Sequence, residues 1–221
     1  MNQIEALRRL QQLGAPVFET RDASALLEVT PANANMILRR LADQKLSTHL
    51  ARGRWLMGTS LPRFALPELM SAPYPSYVSM QSALFHHGLI EQIPAVIYAA
   101  TLGKPRRVST PLGTISFHRL PPELFLGYEL EADDSKIATA EKALFDTLYL
   151  APGRSRLFAR LPELEISPEF RWRQLSEFAA LVKFSRRRVH IERRIDQLER
   201  QSAEPVARAS GGSGSPQRRR G

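Results

Sequence analysis

Few stretches of this 221-residue chain combine residue types that could carry out a reaction. Asp134-Ser135-Lys136 has the Asp-x-Lys spacing found in Mg²⁺-dependent nucleases, where carboxylates hold the metal and a lysine lies beside it at a strand end. Here the three residues lie in the polar run EADDSK, and no apolar strand carries them. We therefore keep a Mg²⁺-dependent nuclease only as a remote alternative, which Asp134→Ala would test.

Two further pairs of polar residues lie within predicted helices. His86 and His87 are neighbours, which point about 100° apart on a helix, and no carboxylate lies at ligand spacing beside them. Lys142 and Asp146 are four residues apart, the spacing of a surface ion pair, and Glu141 lies next to them. The chain has no cysteine, no glycine-rich phosphate loop and no serine elbow. We predict no catalytic site, no metal site and no cofactor.

A third group of residues suits the recognition of nucleic acid. In the major groove asparagine can pair bidentately with adenine, and arginine with guanine. The candidates for DNA contact are Thr30, Asn33, Asn35, Met36, Arg39, Arg40, Arg52 and Arg54. The sequence leaves open which of them would contact bases and which would contact phosphates.

Two helices and a pair of strands must position these residues. The first helix is predicted over 22–28, capped by Thr20 or Asp22. The second is predicted over 31–44, because Thr30 is a good N-cap and Pro31 a good first residue. Short strands over 47–50 and 55–57 would then enclose the tip 51–54. The residues expected to be buried around them are Ala23, Leu26, Leu27, Ala34, Ile37, Leu38, Leu41 and Leu46.

A preceding helix and strand complete this unit. The helix is predicted over 3–13, with Ile4, Leu7, Leu10 and Leu13 on one face, and Val17–Phe18 would pair with the later strands. This order of elements predicts a winged helix-turn-helix domain over residues 1–58, whose Arg-Gly-Arg tip would contact phosphate or a narrow minor groove. The alternatives are a small helical domain with a solvated arginine face and a surface for protein contacts.

The remaining chain predicts an α+β protein with a second, mixed α/β domain and a helical C-terminal part. Prolines 62, 67, 73 and 75 mark residues 59–76 as a linker, with one helical turn near Pro67–Met70. Domain two is predicted over 77–202. Its strands are expected at 95–101, 107–110, 114–119 and 124–130, and its helices at 79–87, 139–150, 154–160, 168–183 and 186–202. In the last helix Val189, Ile191, Ile195 and Leu198 would form the apolar stripe. The basic, Gly/Ser-rich tail 203–221 is expected to be disordered.

The net charge of +9 is unevenly distributed. Residues 1–60 carry +3, residues 61–182 carry −1 and residues 183–221 carry +7. A basic excess favours nucleic acid or an acidic protein as partner. Candidate basic patches are Lys104, Arg106, Arg107 and Arg119, and on the last helix Arg186, Arg187 and Arg188.

No targeting or membrane segment is apparent in the sequence. The N-terminal pattern is an amphipathic helix with internal charges rather than a secretory signal. The longest apolar run, near 93–100, is interrupted by Pro94 and is too short to span a bilayer. We therefore expect a cytoplasmic protein that does not associate with a membrane.

Four stretches together resemble the antitoxin-regulator component of the AbiE-type (type IV) toxin–antitoxin systems of bacteria. One is the winged-helix stretch FETRDASALL…TPANANMILRRLADQKLSTHLARGRWLM. The others are YVSMQSALFHHGLI (77–90), TPLGTISFHRLPPELFLGYE (110–129) and ATAEKALFDTLYL (138–150). Their order and spacing carry the resemblance, which covers about residues 18–150.

The resemblance implies a repressor of its own operon that binds double-stranded DNA at promoter repeats. It implies a second domain that opposes a nucleotidyltransferase-type toxin, with or without direct contact. A monomer or a weak dimer would serve on such repeats. The other reading is a transcription regulator whose second domain senses a ligand or holds a dimer. The basic segment 183–221 matches no motif, and its role stays open.

Overall fold

The fold combines helices with two β-sheets, as the fold-class prediction expected, and the computed structural model describes residues 2–152, 158 and 161–203. The helix predicted at 154–160 and the tail predicted at 203–221 lie outside these residues, apart from Phe158 and Ala203. None of the helices in the described part is long and apolar enough to cross a bilayer.

The N-terminal region contains three helices and a three-stranded antiparallel sheet of order β1-β3-β2. Its elements are α1 (Gln3–Gln11), β1 (Val17–Glu19), α2 (Thr20–Leu27), α3 (Pro31–Asp43), β2 (Ser47–Ala51) and β3 (Arg54–Met57). Val17 pairs with Leu56, so the predicted pairing of the first strand with the hairpin is confirmed. The core of this region comprises Ala6, Leu10, Phe18, Ala23, Leu27, Ala34, Leu38, Leu41 and Trp55.

Helix α3 begins as predicted, whereas α2 begins differently. The Thr30 side chain accepts a hydrogen bond from Asn33 N at 3.3 Å, and Pro31 follows it. The N-cap of α2 is Glu19, and Asp22 Oδ2 accepts from Glu19 N at 2.9 Å. Thr20 is the first residue of the helix rather than its cap, and its hydroxyl oxygen accepts a hydrogen bond from Trp55 Nε1 at 3.0 Å. Its side chain thus links α2 to the hairpin.

Two residues predicted to be buried are exposed. Ile4 is 75% exposed, because α1 packs through Ala6 and Leu10, which lie on another side of the helix. Leu46 is 36% exposed, because the next residue, Ser47, takes the inward position and its hydroxyl donates to Leu38 O at 3.0 Å.

Residues 59–76, predicted as a linker, contain helix α4 (Leu66–Ser71). Leu66 and Met70 are buried in the second core. Glu68 Oε2 accepts a hydrogen bond from Ser76 N at 2.7 Å, and Oε1 forms an ion pair with Lys136 at 2.6 Å. The segment is therefore packed against the following region by both apolar and polar contacts.

The rest of the chain builds a mixed six-stranded sheet of order β6-β7-β5-β4-β9-β8 with helices around it. The strands are β4 (Ser76–Val78), β5 (Ile97–Thr101), β6 (Arg106–Thr110), β7 (Gly113–Arg119), β8 (Tyr128–Leu130) and β9 (Lys136–Ala138). The helices are α5 (Met80–His86), α6 (Ala140–Leu150), α7 (Trp172–Ala180) and α8 (Ser185–Ala203). The pairs β4–β9 and β5–β7 are parallel, and the other pairs are antiparallel.

Several sequence predictions differ from this arrangement, and strand β4 was not predicted. The strand predicted at 124–130 is only three residues long (Tyr128–Leu130), and a 3₁₀ turn (Pro122–Leu124) occupies the start of the predicted range. Strand β9 was not predicted. It begins at Lys136, the last residue of the run EADDSK, so the expectation that no strand carries Asp134-Ser135-Lys136 is corrected for Lys136. Val189, placed in the apolar stripe of the last helix, is exposed, and the stripe consists of Ile191, Ile195 and Leu198.

The hairpin β2–β3 belongs to both cores of the protein. Trp55 lies in the N-terminal core, whereas Leu50 and Leu56 lie in the core built around the six-stranded sheet. Trp55 and Leu56 are adjacent in one strand, so their side chains point to opposite faces. The hairpin is therefore packed between the two regions, next to β6.

Candidate nucleic-acid interface and a buried polar cluster

The outer face of α3 presents most of the residues predicted to contact DNA. Because Ala34, Leu38 and Leu41 point into the core, the remaining positions turn outward. Thr30, Asn33, Met36, Arg39 and Arg40 are exposed, and Asn35 is half-buried. Within the described part of the chain, the side chains of Asn33, Met36, Arg39 and Arg40 form no hydrogen bond or ion pair. This face is polar and basic, and its side chains are available for contact with another molecule.

The hairpin tip is narrower than predicted and presents one arginine instead of two. It consists of Arg52 and Gly53, and Gly53 has the positive φ of 73° that such a turn requires. Arg52 is exposed. Arg54 is turned inward with 19% of its side chain exposed, and it donates from Nη1 to Leu69 O at 2.9 Å and from Nη2 to Ala72 O at 2.8 Å. The prediction that Arg54 extends from the tip is corrected.

The predicted patch of Lys104, Arg106, Arg107 and Arg119 is divided between the two faces of the sheet. Arg106 and Arg107 are neighbours in β6, so their side chains point in opposite directions. Arg106 Nη2 donates to Met70 O at 2.9 Å, and its guanidinium lies 4.8 Å from the centre of the Phe117 ring. Partial burial, followed by the nearby positive charge of Arg54, lowers the pKa of Arg106.

The arginines at the start of α8 also differ from one another. Arg187 lies over the Tyr149 ring, 4.7 Å from its centre, and Arg188 is 3.8 Å from Glu192. Arg186 is exposed and forms no ion pair among the described residues. The run of three arginines is thus partly used to pack and pair the helix.

Lys142 and Asp146, predicted as a surface pair, form the centre of a completely buried polar cluster. Neither side chain has measurable exposure. The Lys142 ammonium pairs with Asp146 Oδ1 and donates to the Tyr77 hydroxyl at 2.9 Å. Tyr77 donates to Asp146 Oδ2 at 3.0 Å, and Ser79 donates to the same oxygen at 2.7 Å. The buried charges are therefore paired and hydrogen-bonded, as burial requires.

The burial of this pair follows from the composition of α6. Residues 141–149 are all buried, so no face of the helix reaches solvent over this stretch. Burial lowers the pKa of Lys142 and raises the pKa of Asp146, and the attraction between the two charges opposes both shifts. The Lys142 ammonium also lies 5.0 Å from the centre of the Phe145 ring. Such contacts replace part of the lost hydration.

A signal for this burial is present in the sequence. The helix reads TAEKALFDTLYL, with Ala143, Leu144 and Phe145 in succession, and a helix that is apolar around its whole circumference is buried. The i,i+4 spacing of Lys142 and Asp146 led to the surface interpretation. Closed on all sides, the cluster is suited to holding β4, α5 and α6 together.

The two histidine neighbours are used in separate contacts. His87 Nε2 lies 2.7 Å from Ala138 O, and His86 Nε2 lies 3.8 Å from Glu131 Oε1. In the described ranges no group of three or more His, Cys, Asp or Glu side chains is arranged to hold a metal ion. The lysine of the Asp-x-Lys run, Lys136, is paired with Glu68 at 2.6 Å.

His118 is a half-buried histidine that the sequence did not single out. Its ring lies 4.9 Å from that of Phe158, and Nε2 is 2.9 Å from Ser116 Oγ. Burial lowers the pKa of His118 to about 4, so the ring is neutral at pH 7. No other titratable group accounts for this shift, and we assign His118 no chemistry.

No model of a protein family matches the sequence, and no curated protein matches it either.

Proposed function

We propose that this protein is a winged-helix DNA-binding repressor of its own operon. The exposed face of α3 carries this proposal. Its residues Asn33, Arg39 and Arg40 point to solvent and have no partners in the described part of the chain. The helix is anchored in the core through Ala34 and Leu38. A helix so presented fits a major groove, and an exposed arginine at a hairpin tip fits the adjacent backbone. The element order α1-β1-α2-α3-β2-β3 supports the proposal, since it is the order expected for a winged helix.

We further propose that the protein acts as an antitoxin against a nucleotidyltransferase-type toxin. This part rests on the resemblance of residues 77–90, 110–129 and 138–150. Two of these stretches meet in the buried cluster through Tyr77, Ser79, Lys142 and Asp146. Those four residues support the fold of the region rather than a contact with a toxin, so the activity needs a test of its own.

DNA binding is tested with fluorescein-labelled duplexes from upstream of the gene and a shuffled duplex of the same composition. We expect Asn33→Ala to reduce discrimination between them, by about 1–3 kcal/mol if the contact is a bidentate base pair. The control is Arg173→Ala, whose side chain is 93% exposed on α7 and pairs with Glu177. Failure of the full chain to prefer its own upstream DNA would contradict the repressor proposal.

Antitoxin activity is tested by co-expression with the product of the neighbouring gene. Deleting residues 1–60 is a poor test, because it would remove Leu50 and Leu56 from the second core. The full chain and Asn33→Ala/Arg39→Ala/Arg40→Ala should instead be compared. Rescue of growth by both proteins would show that antitoxin activity does not depend on repression. If the neighbouring product is harmless and neither protein changes growth, a regulator with a ligand-sensing or dimerisation region would remain.

A further inference from the structure

Two arginines from different sheets meet where helix α4 ends. Arg54, from β3, donates to Leu69 O and Ala72 O, and Arg106, from β6, donates to Met70 O. Carbonyl groups at the last turn of a helix lack partners within the helix, so they can anchor such donors. The two guanidinium groups are thereby held near each other by the backbone between residues 69 and 72.

Little negative charge balances this pair in the described part of the chain. Glu19 is 3.8 Å from Arg54, but it also pairs with Arg21 at 2.9 Å, and Arg106 has no ion pair there. Partial burial and, second to it, the positive charge of Arg54 lower the pKa of Arg106. Exposed Arg52 adds a third positive charge on the same side. An anion between them would relieve this repulsion.

The surface at this point is a groove large enough for such an anion. It has a volume of about 430 Å³, and both Arg54 and Arg106 line it, together with Arg52. Its other walls are largely apolar and include Met70, Tyr74 and Val108. The groove is open to solvent, and no carboxylate lines it.

The donors that remain on these side chains suit phosphate. A guanidinium has five N–H donors, and the carbonyl contacts use two nitrogen atoms of Arg54 and one of Arg106. Arginine binds phosphate in a planar, bidentate geometry, and donors already held in position lose less entropy on binding.

We propose that the groove between the hairpin β2–β3 and strand β6 is a phosphate-binding site, with Arg54 and Arg106 as anchored ligands and Arg52 as an exposed one. The phosphate has two possible sources. One is the backbone of DNA passing the hairpin tip, which rests on the proposed function. The other is a phosphate-bearing small molecule, which does not.

The key variant is Arg106→Gln, and the chain offers a matched control. Arg107→Gln removes the same charge from the next residue of β6, on the opposite face of the sheet. Arg106→Lys keeps the charge and part of the packing on Phe117 but lacks the bidentate fork, so it distinguishes loss of binding from loss of folding. Circular dichroism melting of every variant accompanies the binding measurements.

In the first arm, full-length variants are titrated with a fluorescein-labelled 20-base-pair duplex at several salt concentrations. If the phosphate belongs to DNA, Arg106→Gln should weaken binding and reduce the salt slope by about one unit, whereas Arg107→Gln should change neither. In the second arm, inorganic pyrophosphate is titrated into the same proteins by calorimetry. If the source is a small molecule, wild type and Arg107→Gln should bind pyrophosphate, and Arg106→Gln should not.

The proposal is overturned if Arg106→Gln and Arg107→Gln behave alike in both arms. Its failure is separable from that of the proposed function, because Asn33→Ala/Arg39→Ala is measured in parallel. If only that variant loses duplex binding and wild type does not bind pyrophosphate, the phosphate site in the groove is refuted and DNA contact by α3 is not. No binding of any duplex by wild type would refute the proposed function, and the pyrophosphate arm would then decide the groove.

Discussion

Helices α3 and α6 place similar polar residues in opposite environments. In α3 the buried residues Ala34, Leu38 and Leu41 form a single stripe, so Arg39 and Arg40 face solvent. In α6 the residues around the whole circumference are buried, so Lys142 and Asp146 have no outward side to occupy. The width of the apolar surface on a helix therefore decides whether its charges can serve as an interface or must pair inside.

The largest effect should come from removing one member of the buried pair. Asp146→Ala would leave the Lys142 ammonium buried without its charge partner, and we expect it to lower the free energy of unfolding by about 3–5 kcal/mol. Urea denaturation measures this. The double variant Lys142→Met/Asp146→Leu should lose much less stability than the sum of Lys142→Met and Asp146→Leu measured singly, since the paired charges are removed together. A double variant as damaging as that sum would contradict the proposed coupling.

The next largest effect should be a pH dependence of stability caused by half-buried His118, in contrast to the exposed residues of α3. The pKa of His118 is about 4 in the folded protein, against an ordinary value of 6.5. Between these values the unfolded chain binds more protons than the folded one, so the stability contributed by neutral His118 is lost as the pH falls from 6.5 towards 4. His118→Gln should flatten this part of the stability profile. Titration of the His118 ring near 6.5 by NMR would refute the explanation.

A smaller effect is expected at the helix start that orients the α3 face. Thr30→Ala removes the acceptor for Asn33 N and should lower the free energy of unfolding by about 1 kcal/mol. Thr30→Ser keeps the acceptor and should be nearly neutral. Thermal unfolding compares the two variants, and equal losses would show that the hydroxyl does not stabilise the helix.

The smallest effect on stability is expected for Arg52, and it should distinguish this arginine from Arg54 in the same hairpin. Arg52→Ala should leave the free energy of unfolding within about 0.5 kcal/mol, since the exposed side chain is unpaired among the described residues. Its DNA affinity should nevertheless fall, with a salt slope smaller by about one unit if it contacts a phosphate. Arg54→Ala should lower stability as well, because it removes two hydrogen bonds to α4. Identical stabilities would contradict the anchoring role of Arg54.

Much of the local structure could be predicted from sequence. The Thr30–Pro31 helix start, the glycine turn at Gly53 and the pairing of Val17 with the hairpin depend on caps, turns and alternation. These signals act over a few residues, so they are readable without the fold. The same reasoning places the outward face of α3, because its stripe leaves a single orientation.

The sequence by itself thus determined the start and outward face of α3, the turn at Gly53 and the pairing of Val17 with the hairpin. Only the tertiary structure decided where Arg54 points, that residues 59–76 pack through α4, and that Lys142 and Asp146 are enclosed. The physical reason is that burial depends on which distant elements converge on a residue. Spacing along a helix selects neighbours on the same helix, but it does not show whether solvent or another helix covers them.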